Sequence, residues 1–160
     1  GRILAFDLHK NKLSLIERAA EKLGIGIIET GENNASVYRE DMPAADRILC
    51  DVPCSGLGVI AKKPDIKYKN REDIERLPSL QKKILETSAR YLRVGGTLVY
   101  STCTLSPAEN KNIVSAFLSE NADFELCTFR AGGAECAGML ELIPGETTDG
   151  FFIAKMKKVK

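Results

Sequence analysis

The sequence predicts an α/β fold with mostly parallel strands, on the basis of two observations. Short apolar runs alternate with segments whose apolar residues recur every three or four positions, which is the pattern of strands alternating with amphipathic helices. Two of the runs, at 47–50 and 97–100, are each followed by a loop that contains a cysteine, Cys54 in one and Cys103 in the other. Because open α/β sheets bind ligands at the carboxyl edge of their strands, we expect the fold to bring these two cysteines together.

The first part of the chain predicts a strand–helix–strand unit. Residues 2–6 form an apolar strand that ends at Asp7, and residues 25–28 form the second strand. The apolar residues of the helix between them share one face: Leu13, Ile16, Ala20 and Leu23. An acid at the end of the first strand of such a unit can accept hydrogen bonds from ribose hydroxyls, although a solvated acid or a helix cap is the alternative for Asp7. No glycine-rich turn precedes this strand, so we expect that the chain begins inside a domain.

The rest of the chain continues the alternation of helices and strands. The predicted elements are a loop over 31–43, a strand over 47–50, a helical turn over 72–77 broken near Pro78, a helix over 79–92, a strand over 97–100, a helix over 107–119, a strand over 124–129, a flexible loop over 132–138 and a final strand over 150–156. The helix over 107–119 is predicted from Ser106-Pro107-Ala108-Glu109, a capping box with proline at the first helical position.

Composition and charge exclude several classes of protein. With 160 residues, 44% of them apolar, the chain can bury one sizeable core, so we expect a single domain over 1–160. No apolar run approaches the eighteen residues of a membrane span. Five cysteines without tight spacing, and no secretory signal, favour reduced thiols in a cytoplasmic protein. The net charge of +1 neither indicates nor excludes a nucleic-acid partner.

A basic segment follows the first cysteine loop. Between 62 and 71 the chain has five basic residues, which are Lys62, Lys63, Lys67, Lys69 and Arg71. Together with Tyr68, they are able to form an edge that contacts phosphates and stacks a base. A solvated charged face is the alternative.

Elimination of the alternatives leaves one kind of chemistry for the two loop cysteines. Cys54 and Cys103 lie just beyond strands, where a thiolate nucleophile is useful, whereas Cys50 lies within an apolar strand and is predicted to be in the core. A zinc site needs about four ligands, but the only histidine, His9, is remote and no Cys-x-x-Cys occurs, so we expect no metal. A thiol hydrolase would need His9 as its base, and no redox motif supports a regulatory disulfide. Thiolate addition to an electrophilic carbon remains.

Three stretches of the chain resemble motifs of one enzyme family. They are DVPCSGLGVI at 51–60 followed by KPDIK at 63–67, GGTLVYSTCT at 95–104 followed by Pro107, Glu109 and Asn110, and DGFFIAK at 149–155. The first resembles motif IV of the RNA 5-methylcytosine methyltransferases, the second is similar to their motif VI, and the third to their closing strand. The bacterial Sun-type enzymes that methylate small-subunit ribosomal RNA are the most similar members, and the resemblance covers nearly the whole chain.

The resemblance implies a Rossmann-like class I methyltransferase sheet and a covalent mechanism. Cys103 would attack C6 of a cytosine in ribosomal RNA, C5 would then take the methyl group of S-adenosylmethionine, and Cys54 would assist release. Asp51 would hydrogen-bond the cytosine near N3. The base must leave its stack for this, at least cost in single-stranded RNA.

The resemblance also implies binding residues. The cofactor-binding residues are Asp7, Glu32 and Asp51, and the substrate-binding residues are Pro53, Lys63 and Lys67. Glu32 stands where the family usually has an aspartate near the adenine, and its longer side chain departs from the pattern.

The family's first strand, its glycine-rich loop and its N-terminal RNA-binding part have no counterpart in the sequence. In the family that strand lies between the strands that end at Asp7 and Asp51. We therefore expect a C-terminal fragment of a methyltransferase catalytic domain that binds S-adenosylmethionine weakly or not at all and is inactive alone. Without that strand, either the strands on each side of it pair directly with each other, or a partner chain in a homo-oligomer completes the sheet. The rival hypotheses are an RNA-binding fragment that uses the 62–71 edge and a thiol redox protein.

Overall fold

A computed structural model describes all 160 residues as nine strands, three α-helices and two short 3₁₀-helices. The chain forms two compact units, residues 1–38 and residues 39–160. The α/β class predicted from the sequence is confirmed. None of the helices combines the length and the apolar character that crossing a membrane requires.

The first unit is the predicted strand–helix–strand unit. Strand β1 (Ile3–Asp7) pairs in parallel with β2 (Ile28–Glu32), and α1 (Lys10–Lys22) connects them. Strand β2 begins three residues later than predicted, because residues 24–27 end the helix instead of starting the strand. Gly24 adopts φ +66°, and the Ile25 N–H donates to the Ala20 carbonyl at 2.8 Å, which closes the helix with a left-handed cap.

The second unit contains a sheet with the strand order β3-β4-β9-β5. Its strands are β3 (Ala45–Asp51), β4 (Leu92–Thr102), β5 (Phe124–Leu126) and β9 (Phe151–Lys158), and β8 (Met139–Leu142) also pairs with β9. Strands β3 and β4 are parallel, but β9 runs antiparallel to β4, β5 and β8. The prediction of mostly parallel strands is therefore wrong for this sheet, which is mixed. Strand β9 follows β8 through a short connection, and a parallel neighbour would have needed a long crossover.

Two helices of the second unit depart from the predicted boundaries. Helix α2 (Arg71–Tyr91) runs continuously through Pro78, so the predicted break is wrong. Packing of its C-terminal half outweighs the hydrogen bond that the proline removes. Helix α3 (Lys111–Glu120) begins four residues later than predicted, because the Glu109 side chain points into the interior instead of completing the capping box.

The predicted loop over 132–138 is largely a hairpin. Strands β6 (Phe129–Ala131) and β7 (Ala134–Cys136) pair antiparallel around Gly132 and Gly133. Both glycines have positive φ, at +56° and +85°, which is the geometry of a tight two-residue hairpin turn. The predicted strand over 124–129 is accordingly divided between β5 and β6.

The core of the second unit lies between the sheet and helices α2 and α3. Its fully buried apolar side chains include Leu85, Leu98, Val114, Phe117 and Met156. Cys50 is also buried there, as predicted. The same packing fixes the ends of β3 and β4, and the loops that follow these two strands carry the functional residues discussed next.

Candidate functional site

The two cysteine loops meet at the carboxyl ends of β3 and β4. Asp51 ends β3 and lies opposite Ser101 in β4. Beyond them, the Sγ atoms of Cys54 and Cys103 are 3.2 Å apart. Both side chains are half-buried free thiols. The parallel pairing of two neighbouring strands thus places two cysteines that are 49 residues apart in sequence within hydrogen-bond distance.

Two glycines hold the Cys54 loop in its conformation. Gly56 adopts φ +81°, a conformation that residues with a Cβ rarely adopt. Gly58 lies where three backbone segments cross, since its N–H donates to the Cys103 carbonyl at 3.0 Å and its carbonyl accepts the Gly150 N–H at 2.8 Å. A Cβ on Gly58 would lie 2.2 Å from the Gly150 carbonyl oxygen. Only glycine allows this crossing, which ties the Cys54 loop to the Cys103 loop and to the start of β9.

Polar side chains anchor the backbone of the Cys54 loop. Gln81 Nε2 donates to the Pro53 carbonyl at 2.8 Å, and the Ser55 N–H donates to Glu109 Oε2 at 2.8 Å. From the solvent side, Lys69 Nζ donates to the Ser55 carbonyl at 2.8 Å. The residues before and after Cys54 are therefore both fixed.

Sequence reasoning missed the roles of Gln81 and Glu109. Gln81 is a polar residue on the same helix face as the buried Ile84 and Leu85, and that mismatch was an available signal. The sequence predicts a capping-box role for Glu109, whereas its side chain accepts the Ser55 N–H.

Burial controls the protonation of Cys54. Desolvation, reinforced by the neighbouring Cys103 thiol, raises the pKa of Cys54 to about 12. Cys54 is therefore a neutral thiol at physiological pH and a potential hydrogen-bond donor to Cys103 Sγ. This environment suits a group that hydrogen-bonds or protonates better than one that attacks as a thiolate.

Asp51 presents its carboxylate at the same edge of the sheet. Its Oδ1 atom accepts a hydrogen bond from the Ser101 hydroxyl at 2.9 Å, and the residue is exposed. The Val52 N–H donates to the Ser101 carbonyl at 3.2 Å and continues the pairing of the two strands one residue further. Asp51 is thus oriented by β4 while its other oxygen stays accessible.

Asp7 and Glu32 lie side by side at the carboxyl ends of β1 and β2. Asp7 Oδ1 accepts the His9 N–H at 2.8 Å, and Oδ2 is 3.7 Å from Lys12 Nζ. One oxygen of Asp7 therefore holds the turn before α1, although the N-cap residue of this helix is His9 and no side chain caps it. The exposed Glu32 and the second oxygen of Asp7 fit a ligand that donates hydroxyl or amino hydrogens.

The basic segment is only partly available to a ligand. Lys62 pairs with Asp149 at 2.7 Å, Arg71 pairs with Glu75 at 2.7 Å, and Lys69 holds the Cys54 loop. The exposed basic residues that remain are Lys63, which caps the start of a short 3₁₀-helix, Pro64–Tyr68, and Lys67 in its last turn. The ring of Tyr68 is 86% exposed, which leaves its faces accessible for stacking.

A pocket of about 350 Å³ adjoins the Cys54 loop. Its lining residues are Pro53, Cys54, Lys69, Asn70, Asp73, Ile74 and Leu77. Pro53 is exposed at its rim and carries the backbone carbonyl that Gln81 binds. The chain has no group of three or more histidine, cysteine, aspartate or glutamate side chains arranged to hold a metal ion.

Comparison with solved structures defines the class of protein. The crystal structure of NSun6 from Pyrococcus horikoshii with SFG matches with a TM-score of 0.84 and 33% identity, covering 100% of this chain and 42% of that chain. The family described as 16S rRNA methyltransferase RsmB/F matches residues 1–157. The chain belongs to this family.

Curated relatives agree with the family match. The chain is 41% identical over 169 residues to the probable ribosomal RNA small subunit methyltransferase B of Bacillus subtilis (strain 168). It is 40% identical over 160 residues to the ribosomal RNA small subunit methyltransferase B of Escherichia coli O1:K1 / APEC. The two alignments cover 99% of this chain but only 38% and 37% of the relatives' lengths.

Proposed function

We propose that this chain is the part of a methyltransferase catalytic domain that performs the cysteine chemistry of cytosine C5 methylation in small-subunit ribosomal RNA. The observation that carries the proposal is the pair of thiols 3.2 Å apart at the carboxyl ends of two parallel strands, beside Asp51. The names of its relatives support ribosomal RNA as the substrate. The family's chemistry supplies the finer assignment to C5 of cytosine.

The reaction divides between Cys103 and Asp51. The Cys103 sulfur forms a bond to C6 of the cytosine, and the electron pair displaced from the C5–C6 double bond makes C5 nucleophilic. We propose that the Asp51 carboxyl group carries the proton of a hydrogen bond that it donates to N3, which favours this addition because N3 takes up the electron density pushed into the ring. S-adenosylmethionine, when bound, supplies the methyl group that C5 accepts. A water molecule then takes the proton from C5, the electron pair of that C–H bond re-forms the C5–C6 double bond, and the bond between sulfur and C6 breaks to release the Cys103 thiolate.

Cys54 is suited to the last step. Because its pKa is raised to about 12, it stays a neutral thiol within 3.2 Å of the sulfur that leaves C6. A thiol donor at this distance stabilises the departing thiolate of Cys103 by hydrogen bonding. The proposed role of Cys54 in release follows from this environment together with the motif in which it lies.

The substrate is bound beside the thiols. We propose that Pro53 lines the pocket for the flipped base, and that Lys63 and Lys67 contact phosphates of the RNA strand. We also propose a cytoplasmic location, which the ribosomal RNA in the names of the relatives supports. The homo-oligomer stays a prediction, and sedimentation of this chain tests it.

Asp7, Glu32 and Asp51 are proposed to contact S-adenosylmethionine. The carboxyl oxygens of Asp7 and of the adjacent Glu32 provide acceptors for the hydroxyl and amino groups of an adenosine moiety, which would compete at Asp7 with Lys12, 3.7 Å from Oδ2. The relative solved with SFG, an analogue of S-adenosylmethionine, supports this cofactor. We expect residues 1–160 alone to bind S-adenosylmethionine weakly or not at all.

Methylation of a ribosomal RNA fragment tests the proposal. In an active methyltransferase that contains this chain, Cys103→Ala should abolish methyl transfer, whereas Cys127→Ala, at a half-buried cysteine outside the site, should leave it unchanged. For the cofactor, calorimetric titration of S-adenosylmethionine should show tight binding only when the chain is extended to include a glycine-rich turn. Methyl transfer by the Cys103→Ala variant would refute the covalent mechanism.

A second candidate function is RNA binding without catalysis. The exposed Tyr68, in the same short segment as the exposed Lys63 and Lys67, favours it. It predicts salt-dependent RNA binding by this chain that survives Cys103→Ala, with no methylation under any extension of the chain.

A further inference from the structure

A buried polar pair lies beneath the two cysteine loops. Gln81 in α2 and Glu109 just before α3 are 0% and 1% exposed. Gln81 Nε2 donates to Glu109 Oε2 at 3.0 Å and also to the Pro53 carbonyl at 2.8 Å. The same Glu109 oxygen accepts the Ser55 N–H at 2.8 Å. The pair therefore holds the backbone on both sides of Cys54.

The backbone of Glu109 is in turn fixed to β4, the strand that leads to Cys103. The Tyr100 hydroxyl donates to the Glu109 carbonyl at 2.6 Å, and Tyr100 is fully buried. The next residue, Asn110, accepts from the Thr102 hydroxyl at 2.6 Å and donates to the Thr104 carbonyl at 2.9 Å. The backbone of Glu109 and Asn110 is thus fixed to the strand and loop that carry Cys103, and the side chains of Glu109 and Gln81 hold the Cys54 loop.

Stability alone does not account for this arrangement. Glu109 Oε1 and Gln81 Oε1 are both buried and accept no hydrogen bond from another group of the protein. A buried carboxylate with an unpartnered oxygen is costly, and apolar residues of the same volume would fill the space at lower cost. Costly buried polar groups of this kind occur where they determine the position of functional groups.

We propose that Gln81 and Glu109 form a positioning pair that sets the separation of the Cys54 and Cys103 sulfurs. The catalytic part of this inference rests on the proposed function, since the pair would act through Cys54 on release of the methylated RNA. The inference that the pair sets the distance between the two sulfurs does not depend on the proposed function. Removing the pair lets the Cys54 loop move away from Cys103 while Cys103 keeps its place at the end of β4.

Thiol crosslinking measures this separation directly on the chain itself. With Cys127 and Cys136 replaced by serine, and Cys50 protected by burial, dibromobimane becomes fluorescent only when it bridges Cys54 and Cys103. We expect Glu109→Ala and Gln81→Met to slow crosslinking about tenfold, the effect of losing one anchoring contact of typical strength. Glu109→Gln keeps an acceptor for the Ser55 N–H and should restore most of the rate.

The matched control is Glu120→Ala, which removes an exposed glutamate from the end of α3 and should leave crosslinking unchanged. Circular dichroism and thermal unfolding establish that each variant is folded, and if Glu109→Ala does not fold, Gln81→Met and Glu109→Gln decide the question. Unchanged crosslinking in folded Gln81→Met, or equal slowing in Glu120→Ala, overturns the proposal.

In an active methyltransferase that contains this chain, the pair should affect release specifically. Glu109→Ala should lower kcat about tenfold with the KM for RNA within about twofold, and the fraction of protein in the covalent RNA adduct should rise. A merely structural effect lowers the amount of active enzyme without raising that fraction. Methylation by a Cys103→Ala variant would refute the proposed function while leaving the crosslinking result intact, so the two failures are distinguishable.

Discussion

Replacing Gly58 with alanine adds a methyl group at the point where three backbone segments cross. The added carbon would lie 2.2 Å from the Gly150 carbonyl oxygen and 2.9 Å from the Cys103 carbonyl oxygen. Ordinary contact begins near 3.4 Å, so the backbone of Gly58 or Gly150 has to move by about 1.2 Å, and no side-chain rotation relieves the clash.

The structure gives the size of the effect. The movement strains or breaks the hydrogen bonds that Gly58 makes to Cys103 and Gly150, each worth about 1 kcal/mol, and overpacking adds about 1–3 kcal/mol. We expect Gly58→Ala to lower the free energy of unfolding by about 2–5 kcal/mol, which is a fall in Tm of about 5–15 °C for a protein of this size.

Thermal and urea unfolding followed by circular dichroism measure this change. The matched control is Gly26→Ala, because Gly26 has no heavy atom within 4 Å of the added carbon and its φ is not positive. Dibromobimane crosslinking should also slow in Gly58→Ala, since the Cys54 loop is displaced. A Gly58→Ala protein as stable as Gly26→Ala would refute the argument that the crossing excludes a side chain.

Three further predictions concern the Cys54 thiol, the exposed lysines Lys63 and Lys67, and the proline inside α2. Burial raises the pKa of Cys54 from 9.0 to about 12. The stability that the protonated thiol contributes is therefore complete below pH 9 and is lost as the pH rises toward 12. Cys54→Ala should reduce the decrease in the free energy of unfolding over that pH range. Replacing both Lys63 and Lys67 with alanine should reduce the slope of log affinity against log salt for single-stranded RNA by about 1.4, whereas Lys22→Ala, in the first unit, should not change it. Pro78→Ala should raise the free energy of unfolding by about 1–3 kcal/mol, because α2 is already continuous there, and a loss of stability would show that the ring packs favourably.

Local signals identified the cysteine site in the sequence. The runs at 47–50 and 97–100 end in small and polar residues, and parallel strands that are neighbours in a sheet necessarily bring such ends together. The first strand–helix–strand unit was likewise predicted from apolar periodicity and from Gly24. These features depend on residues close in sequence, so one sequence suffices to predict them.

The features that were missed depend on contacts between residues far apart in sequence. The break predicted at Pro78 reflects local propensity, which the packing of α2 overrides. The prediction of a capping box over 106–109 is wrong because the Glu109 side chain accepts a hydrogen bond from the buried Ser55 N–H, 54 residues away in sequence. The antiparallel direction of β9 is set by its connection to β8 and its pairing with β4, which periodicity does not reveal.

The covalent adduct tests the central claim most directly. An active methyltransferase that contains this chain with Cys54→Ala is incubated with a small-subunit ribosomal RNA fragment and S-adenosylmethionine, digested with protease and nuclease, and analysed by mass spectrometry. The account predicts a methylated cytidine attached to the peptide that contains Cys103. Methylated RNA released at the normal rate with no adduct, or an adduct on a different cysteine, would contradict it.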